Sequence, residues 1–221
     1  MLGRAHTFRS DFEEAENSFK GAEKDCPKDL QSELYVNWAV VERRAGRYKP
    51  AYDLAEKARK LDPDNPRILN ELSVATWELA RQSGADEEKA KAQQAESLAE
   101  KAMTAASGIG DTSLLLSAIN NYSYFSVLRG GQDRIERALR LTEGFSRAGV
   151  TRPTYLDTRG YVCLASFNHY VSLSKPPQHV QYLLDEAIDC FKKAQQTDPA
   201  DPDYVTHLAE ALTLKKRVFG E

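Results

Sequence analysis

Apolar residues recur at three and four positions almost everywhere along this chain, and nowhere do they alternate for long. Phe12, Ala15, Phe19 and Ala22 make one such stripe, and Leu54, Ala55, Ala58 and Leu61 make another. That spacing sets side chains on one face of an α-helix, whereas a half-buried strand needs a period of two. Breakers fall at short intervals between the stripes. They include Pro27, Gly46, the run Asp62-Pro63-Asp64-Asn65-Pro66, Gly84, Ser107-Gly108-Ile109-Gly110-Asp111, Gly130-Gly131, Gly149, Lys175-Pro176-Pro177 and Asp198-Pro199-Ala200-Asp201-Pro202. Asp, Ser and Asn ahead of a periodic run offer N-cap oxygens, and proline fits the first helical turn. The pattern predicts an all-α chain of about eleven antiparallel helices with short connections and no strand.

Composition removes several classes of function. A chain of 221 residues suits one domain or one short repeat array, and it can bury a continuous core. Thirty basic against 33 acidic side chains, a net charge of −3, leave no long-range field to hold nucleic acid or anionic lipid. No apolar run approaches the ~18 residues a membrane helix needs, and Met1 to Ser10 has no apolar signal core. Neither nucleic acid nor membrane is therefore an expected partner. Cys26, Cys163 and Cys190 are an odd number without CxxC spacing, and the histidines do not cluster. No disulfide framework, metal or cofactor is expected, and the cysteine usage fits a reducing cytoplasm.

The stripes repeat. Ala15, Ala51 and Ala187 are each followed four residues on by Phe or Ala (Phe19, Ala55, Phe191), three further by Ala22, Ala58 or Ala194, and five further by Pro27, Pro63 or Pro199. Small residues belong where two helices cross closely, and the proline ends the second helix of each pair. In this the chain resembles the tetratricopeptide repeat (TPR) family, whose helix pair runs W-x2-L-G-x2-Y, then A-x3-F-x2-A, then P, over roughly 34 residues. Tyr35, Trp38 and Ala39 stand for W, L and G, followed by Gly46-Arg47-Tyr48 at the inner turn and Ala51, Ala55, Ala58 and Pro63. The first pair matches through Leu2-Gly3, His6, Phe12, Ala15, Phe19, Ala22 and Pro27; a later one runs from Leu156-Asp157-Thr158-Arg159-Gly160 through Ala187 to Pro199.

Two middle pairs depart from the pattern. Leu69, Leu72 and Ser73 open one, but Ala95, Ala99 and Ala102 come late, after an insertion at Ser83 to Lys91. Tyr122, Phe125 and Ser126 open the next, followed by Ala138, Thr142 and Phe145 with no closing proline. A further insertion spans Ser172 to Val180; both insertions are flanked by helix formers and are expected to extend helices. The resemblance implies a right-handed α-solenoid, a single array over residues 1–221 with about five pairs near 1–27, 29–63, 66–106, 112–149 and 153–199. A capping helix over 202–219 would turn Lys215, Lys216 and Arg217 outward. Leu2-Gly3 as the middle of a first helix implies a repeat without its opening turn, hence a piece of a longer protein with the missing region N-terminal.

Catalytic constellations are scarce, and no enzyme is expected. His6, His169, His179 and His207 lie in different helices or loops, and Cys163 and His169 fall on different helix faces. Cys190 sits on the apolar stripe of Phe191 and reads as a small buried hydrophobe. Asp185, Glu186 and Asp189 read as the acidic first turn of a helix. Gly108-Ile109-Gly110 lacks the third glycine and the preceding strand of a dinucleotide fingerprint.

What the resemblance implies is a groove lined by the first helix of each pair, binding a peptide or partner protein. Its groove positions carry over to Asn37, Arg43 and Arg44 in the second pair, and to Arg67, Asn70, Glu71, Trp77 and Glu78 in the third. The fourth supplies Asn120, Ser123 and Tyr124, and the fifth Asp157, Thr158 and Tyr161. Asparagine can grip a peptide backbone as donor and acceptor. Arg44 and Arg67 could take a carboxylate, and Trp77, Tyr124 and Tyr161 could hold apolar anchors. The family's clamp for acidic chaperone tails is not expected, because Glu71 stands where arginine belongs and would repel the carboxylate. The expected function is a non-enzymatic interaction scaffold, a recognition or regulatory region of a larger polypeptide. The alternatives are a regulatory receptor with a signalling peptide in the groove, or a self-assembly module forming homo-oligomers through its end helices.

Overall fold

The computed structural model describes residues 2–82, 85–147 and 152–220, with side chains except those of 2–10, 85–89 and 146–147. Ser83, Gly84 and Gly149 lie outside the described residues, and so does the side chain of His6. Among the described residues the chain forms eleven α-helices, one 3-10 turn at Lys28–Leu30, and no strand. The helices are α1 (Leu2–Asp25), α2 (Gln31–Arg44), α3 (Tyr48–Leu61), α4 (Pro66–Ala80), α5 (Ala85–Ile109), α6 (Thr112–Arg129), α7 (Gln132–Leu141), α8 (Glu143–Arg147), α9 (Pro153–Ser172), α10 (Pro177–Thr197) and α11 (Pro202–Phe219).

Local chemistry sets these ends. Asn65 caps α4 by accepting from the Arg67 and Ile68 amides, with Pro66 in the first turn. Asp201 caps α11 in the same way through the Asp203 amide, ahead of which stands Pro202. Between α2 and α3 the chain turns through Gly46 at φ +75°, a backbone only glycine adopts freely.

Two sequence expectations meet a different local structure, and a third, that the insertions extend helices, holds for most of their described residues. Residues 2 to 25 are one uninterrupted helix, so no inner turn divides a first pair. Nothing between Arg4 and Lys20 is glycine or proline, and the run has no reason to break. The two insertions are absorbed mostly as helix: α5 begins at Ala85, α9 runs to Ser172 and α10 starts at Pro177, with a turn at residues 173–176. On α11, Lys215 points inward to Asp185 (3.0 Å), while Val205 and Leu212 stay 43% exposed.

The chain divides into two compact units, residues 1–121 and 122–221, with α6 contributing to both. In the first, Trp38, Leu54, Leu69, Leu72 and Leu98 pack over the alanines Ala39, Ala55 and Ala102, and Phe19 of α1 stacks on Trp38 at 5.9 Å. In the second, Phe167, Leu183, Leu184, Ala187, Ile188 and Phe191 form the core with Cys163 and Ala211. Ala39, Ala51, Ala58, Ala187 and Ala194 have no exposed surface, as close helix crossings require. Gly160 shows the limit of that rule: a Cβ there would lie 2.6 Å from the Phe191 ring. No helix among the described residues is long and apolar enough to cross a membrane.

Candidate functional site

In the first unit, α2, α4 and the first part of α6 present the groove positions read from the sequence. Most of their polar side chains are engaged with one another. Arg43 donates from Nε and Nη2 to the two carboxylate oxygens of Glu71 at 2.6 and 3.1 Å, a bidentate pair with Glu71 buried. Arg67 donates to Asn37 Oδ1 and lies 3.7 Å from Glu33. Asn70 donates to Ser117 Oγ at 3.1 Å and accepts from Asn121 Nδ2 at 2.9 Å. Trp77 is buried on α4, and Arg44 is exposed with no ion pair among the described residues. The face is knit into a surface whose hydrogen-bonding capacity is largely used internally.

The second unit brings together a different set. Tyr124 of α6 packs on Tyr161 of α9 at 5.6 Å, and Tyr161 on His207 of α11 at 5.4 Å; behind it, His207 meets Phe191 at 5.5 Å. His207 Nδ1 lies 2.8 Å from Asp157 Oδ1. Burial pushes the Asp157 carboxyl above its ordinary value, against the pull of His207. The hydrogen bond to Asp157 raises the His207 imidazole above its ordinary value, with burial opposing. Each partner favours the other's charged form while burial opposes it, and the contact ties α11 to α9.

Directly along the same helices lies an open cleft of about 610 Å³, lined by Leu164 and Asn168 of α9 and by Val205, Thr206, Ala209, Glu210, Thr213, Leu214 and Arg217 of α11. Leu164 and Asn168 follow Tyr161 by three and seven residues, and Glu210 and Leu214 follow His207 likewise, so ring ladder and cleft share one face. His207 was not among the groove residues expected from sequence. It stands two residues after Val205, as Asn37 does after Tyr35, and treating α11 as a plain cap conceals that register.

Burial pushes the Cys190 thiol up to about 12, and the Cys163 thiol is raised by burial as well. Neither supplies a thiolate nucleophile at neutral pH. Among the described residues no three His, Cys, Asp or Glu side chains cluster to hold a metal ion. A second cavity, about 410 Å³, is lined by Leu139, Arg140, Glu143, Arg159, Tyr182, Leu183 and Glu186. The Arg159 guanidinium there is occupied by both Glu186 oxygens (2.9 and 3.0 Å), the Leu139 carbonyl (2.7 Å) and the Thr142 hydroxyl (3.1 Å). It braces α9 against α10, the last turn of α7 and the residue after it.

No family model matches the sequence, and no curated protein matches it significantly. Solved structures do resemble it. A thermophilic TPR protein of Thermus thermophilus is 19% identical over 96% of both chains with a TM-score of 0.62. Human IFIT1, solved as a dimer with m7Gppp-AAAA, is 17% identical with a TM-score of 0.67, over 92% of this chain and 43% of that one. YrrB, described as a TPR protein with an unusual peptide-binding site, is 16% identical with a TM-score of 0.52, over 90% of this chain and 84% of its own. With its repeated Ala-x3-Phe/Ala-x2-Ala helices and these neighbours, the chain has the all-α, helix-pair fold of the tetratricopeptide repeat proteins.

Proposed function

We propose that the chain is a protein-interaction scaffold, and that a peptide or a segment of a partner protein lies along the α9–α11 face of the second unit. The observation that carries this reading is the open cleft continuing from the Tyr124–Tyr161–His207 ladder. Rings supply flat apolar anchors at low entropic cost, and Asn168, Thr206 and Thr213 can bond a peptide backbone. Arg217 is the one cation and Glu210 the one anion lining the cleft, which suits a near-neutral segment better than a polyanion. YrrB, with its peptide-binding site, supports the same class of ligand. The free thiols Cys26, Cys163 and Cys190 support a place in the reducing cytoplasm.

The test is selection from a random peptide library on the intact chain. Binding of the selected peptides is then compared between the parent and the double variant Asn168→Ala, Glu210→Arg, two exposed positions whose change leaves the core untouched. A loss of about tenfold or more supports the reading. Peptides that bind both proteins equally, or a selection that enriches nothing, contradict it.

A further inference from the structure

Three ionisable side chains stand in one line along α11. Asp203, Glu210 and Arg217 follow one another at seven-residue steps, which return each to nearly the same side of the helix. Glu210 and Arg217 line the cleft between α9 and α11, and all three residues are exposed. Lys49, Lys193 and Lys215 each hold a carboxylate partner, Asp53, Asp189 and Asp185. The side chains of Asp203, Glu210 and Arg217, by contrast, enter no ion pair or hydrogen bond among the described residues. Their own helix offers Glu210 and Arg217 no charge one turn away: Thr206 and Leu214 flank Glu210, and Thr213 precedes Arg217.

The sign of the charge changes along this line. Towards the ring ladder, Asp203 and Glu210 are joined by Asp157 and Asp201. Burial, and after it the charges of Glu210 and Asp157, raise the Tyr161 hydroxyl above its ordinary value, so both carboxylates act on the ladder. Against these acids stands one imidazole, that of His207, already bonded to Asp157. Towards the C-terminal end of α11, Lys216 and Arg217 are exposed. The cleft wall formed by α11 is thus negative beside the ladder and positive at its far end, while α9 contributes uncharged Leu164 and Asn168. Glu210 and Arg217 lie roughly 10 Å apart along the helix axis, a span that an extended peptide covers in about three residues. Resting on the peptide reading of this cleft, we propose that it selects its ligand by charge order: a basic side chain beside Glu210 and an acidic side chain beside Arg217, about three residues apart.

Charge order acts on specificity more than on affinity. One exposed ion pair changes an equilibrium constant by only about two- to fivefold. A ligand with its two charges exchanged, however, meets like charge at both Glu210 and Arg217 and loses at each. Contact with Leu164, Leu214 and the rings is the same for either order, so these two residues are what separates segments of equal apolar content.

The experiment is a pair of double-mutant cycles on the full chain, using library-selected peptides with blocked ends so that only side chains carry charge. The selected peptides are expected to share one basic and one acidic position about three residues apart. Glutamine at the basic position should weaken binding to the parent about two- to fivefold and leave binding to Glu210→Gln unchanged. Glutamine at the acidic position should do the same for the parent and for Arg217→Gln. The double variant Glu210→Arg, Arg217→Glu should prefer the peptide whose two charges are exchanged. Peptides that bind without this pattern, or whose charges couple to neither residue, overturn charge order. The cleft reading then still stands if Asn168→Ala, Glu210→Arg weakens those peptides about tenfold. A selection that enriches nothing, or peptides indifferent to that variant as well, overturns both.

Discussion

The face of α2, α4 and early α6 and the face of α9 and α11 carry equivalent repeat positions, yet they solve opposite problems. On the first, charged and amide side chains find partners across neighbouring helices: Arg43 with Glu71, Arg67 with Asn37, Asn70 with Ser117 and Asn121. On the second, rings and one half-buried His–Asp pair form a wall beside an open cleft. The lesson is that a polar residue at a groove position is a candidate for a ligand only until its neighbours are counted. A saturated donor must break an existing bond before it makes a new one.

The largest test strikes the support of the second face. Phe191→Ala empties a fully buried site beneath His207 and Gly160, and should lower stability by about 3–5 kcal/mol in urea denaturation. A cost under about 1 kcal/mol would show that the ring does not hold this face. Ala187→Leu, at a crossing with no exposed surface, should overpack and cost about 1–3 kcal/mol by thermal melting. On the first face, Glu71→Ala leaves Arg43 without its bidentate partner and should cost about 1–3 kcal/mol. An equal stability for that variant would make the network a bystander and reopen the first face to ligands.

A pH series sharpens the contrast further. His207 is raised above its ordinary value of about 6.5, so the fold favours its protonated form. That contribution is complete below the unfolded value and is lost as pH rises through the folded one. Asp157 is also raised by burial, which leaves an uncompensated buried carboxylate once His207 is neutral; Asp201, Asp203 and Glu210 add to the negative surroundings. Melting temperature should therefore fall between about pH 6 and pH 9, and His207→Asn should flatten that fall. At the small end, Lys49→Ala removes an exposed pair with Asp53 and should change stability by less than about 0.5 kcal/mol.

Much of the fold was legible because helix pairing writes itself in small residues and breakers. Ala51, Ala55, Ala58 and Pro63 mark α3 without ambiguity. The first segment was not legible, since the motif match through Leu2-Gly3 and Phe12 implied a turn where residues 2–25 form one helix. Candidate positions on the two faces could be read from register, but their mutual pairing could not. The partners stand 28 residues apart for Arg43 and Glu71, 30 for Arg67 and Asn37, and 50 for Asp157 and His207. Only the stacking of helices brings such distances to hydrogen-bonding range.

The contrast between the two faces is tested most directly by amide chemical shifts of the labelled chain, titrated with a library-selected peptide. The account places the shifted amides on residues 161–168 of α9 and 206–217 of α11, with Asn37, Arg67 and Asn70 still. Shifts concentrated on α2 and α4 instead would contradict it, and would show that the paired polar face opens to bind.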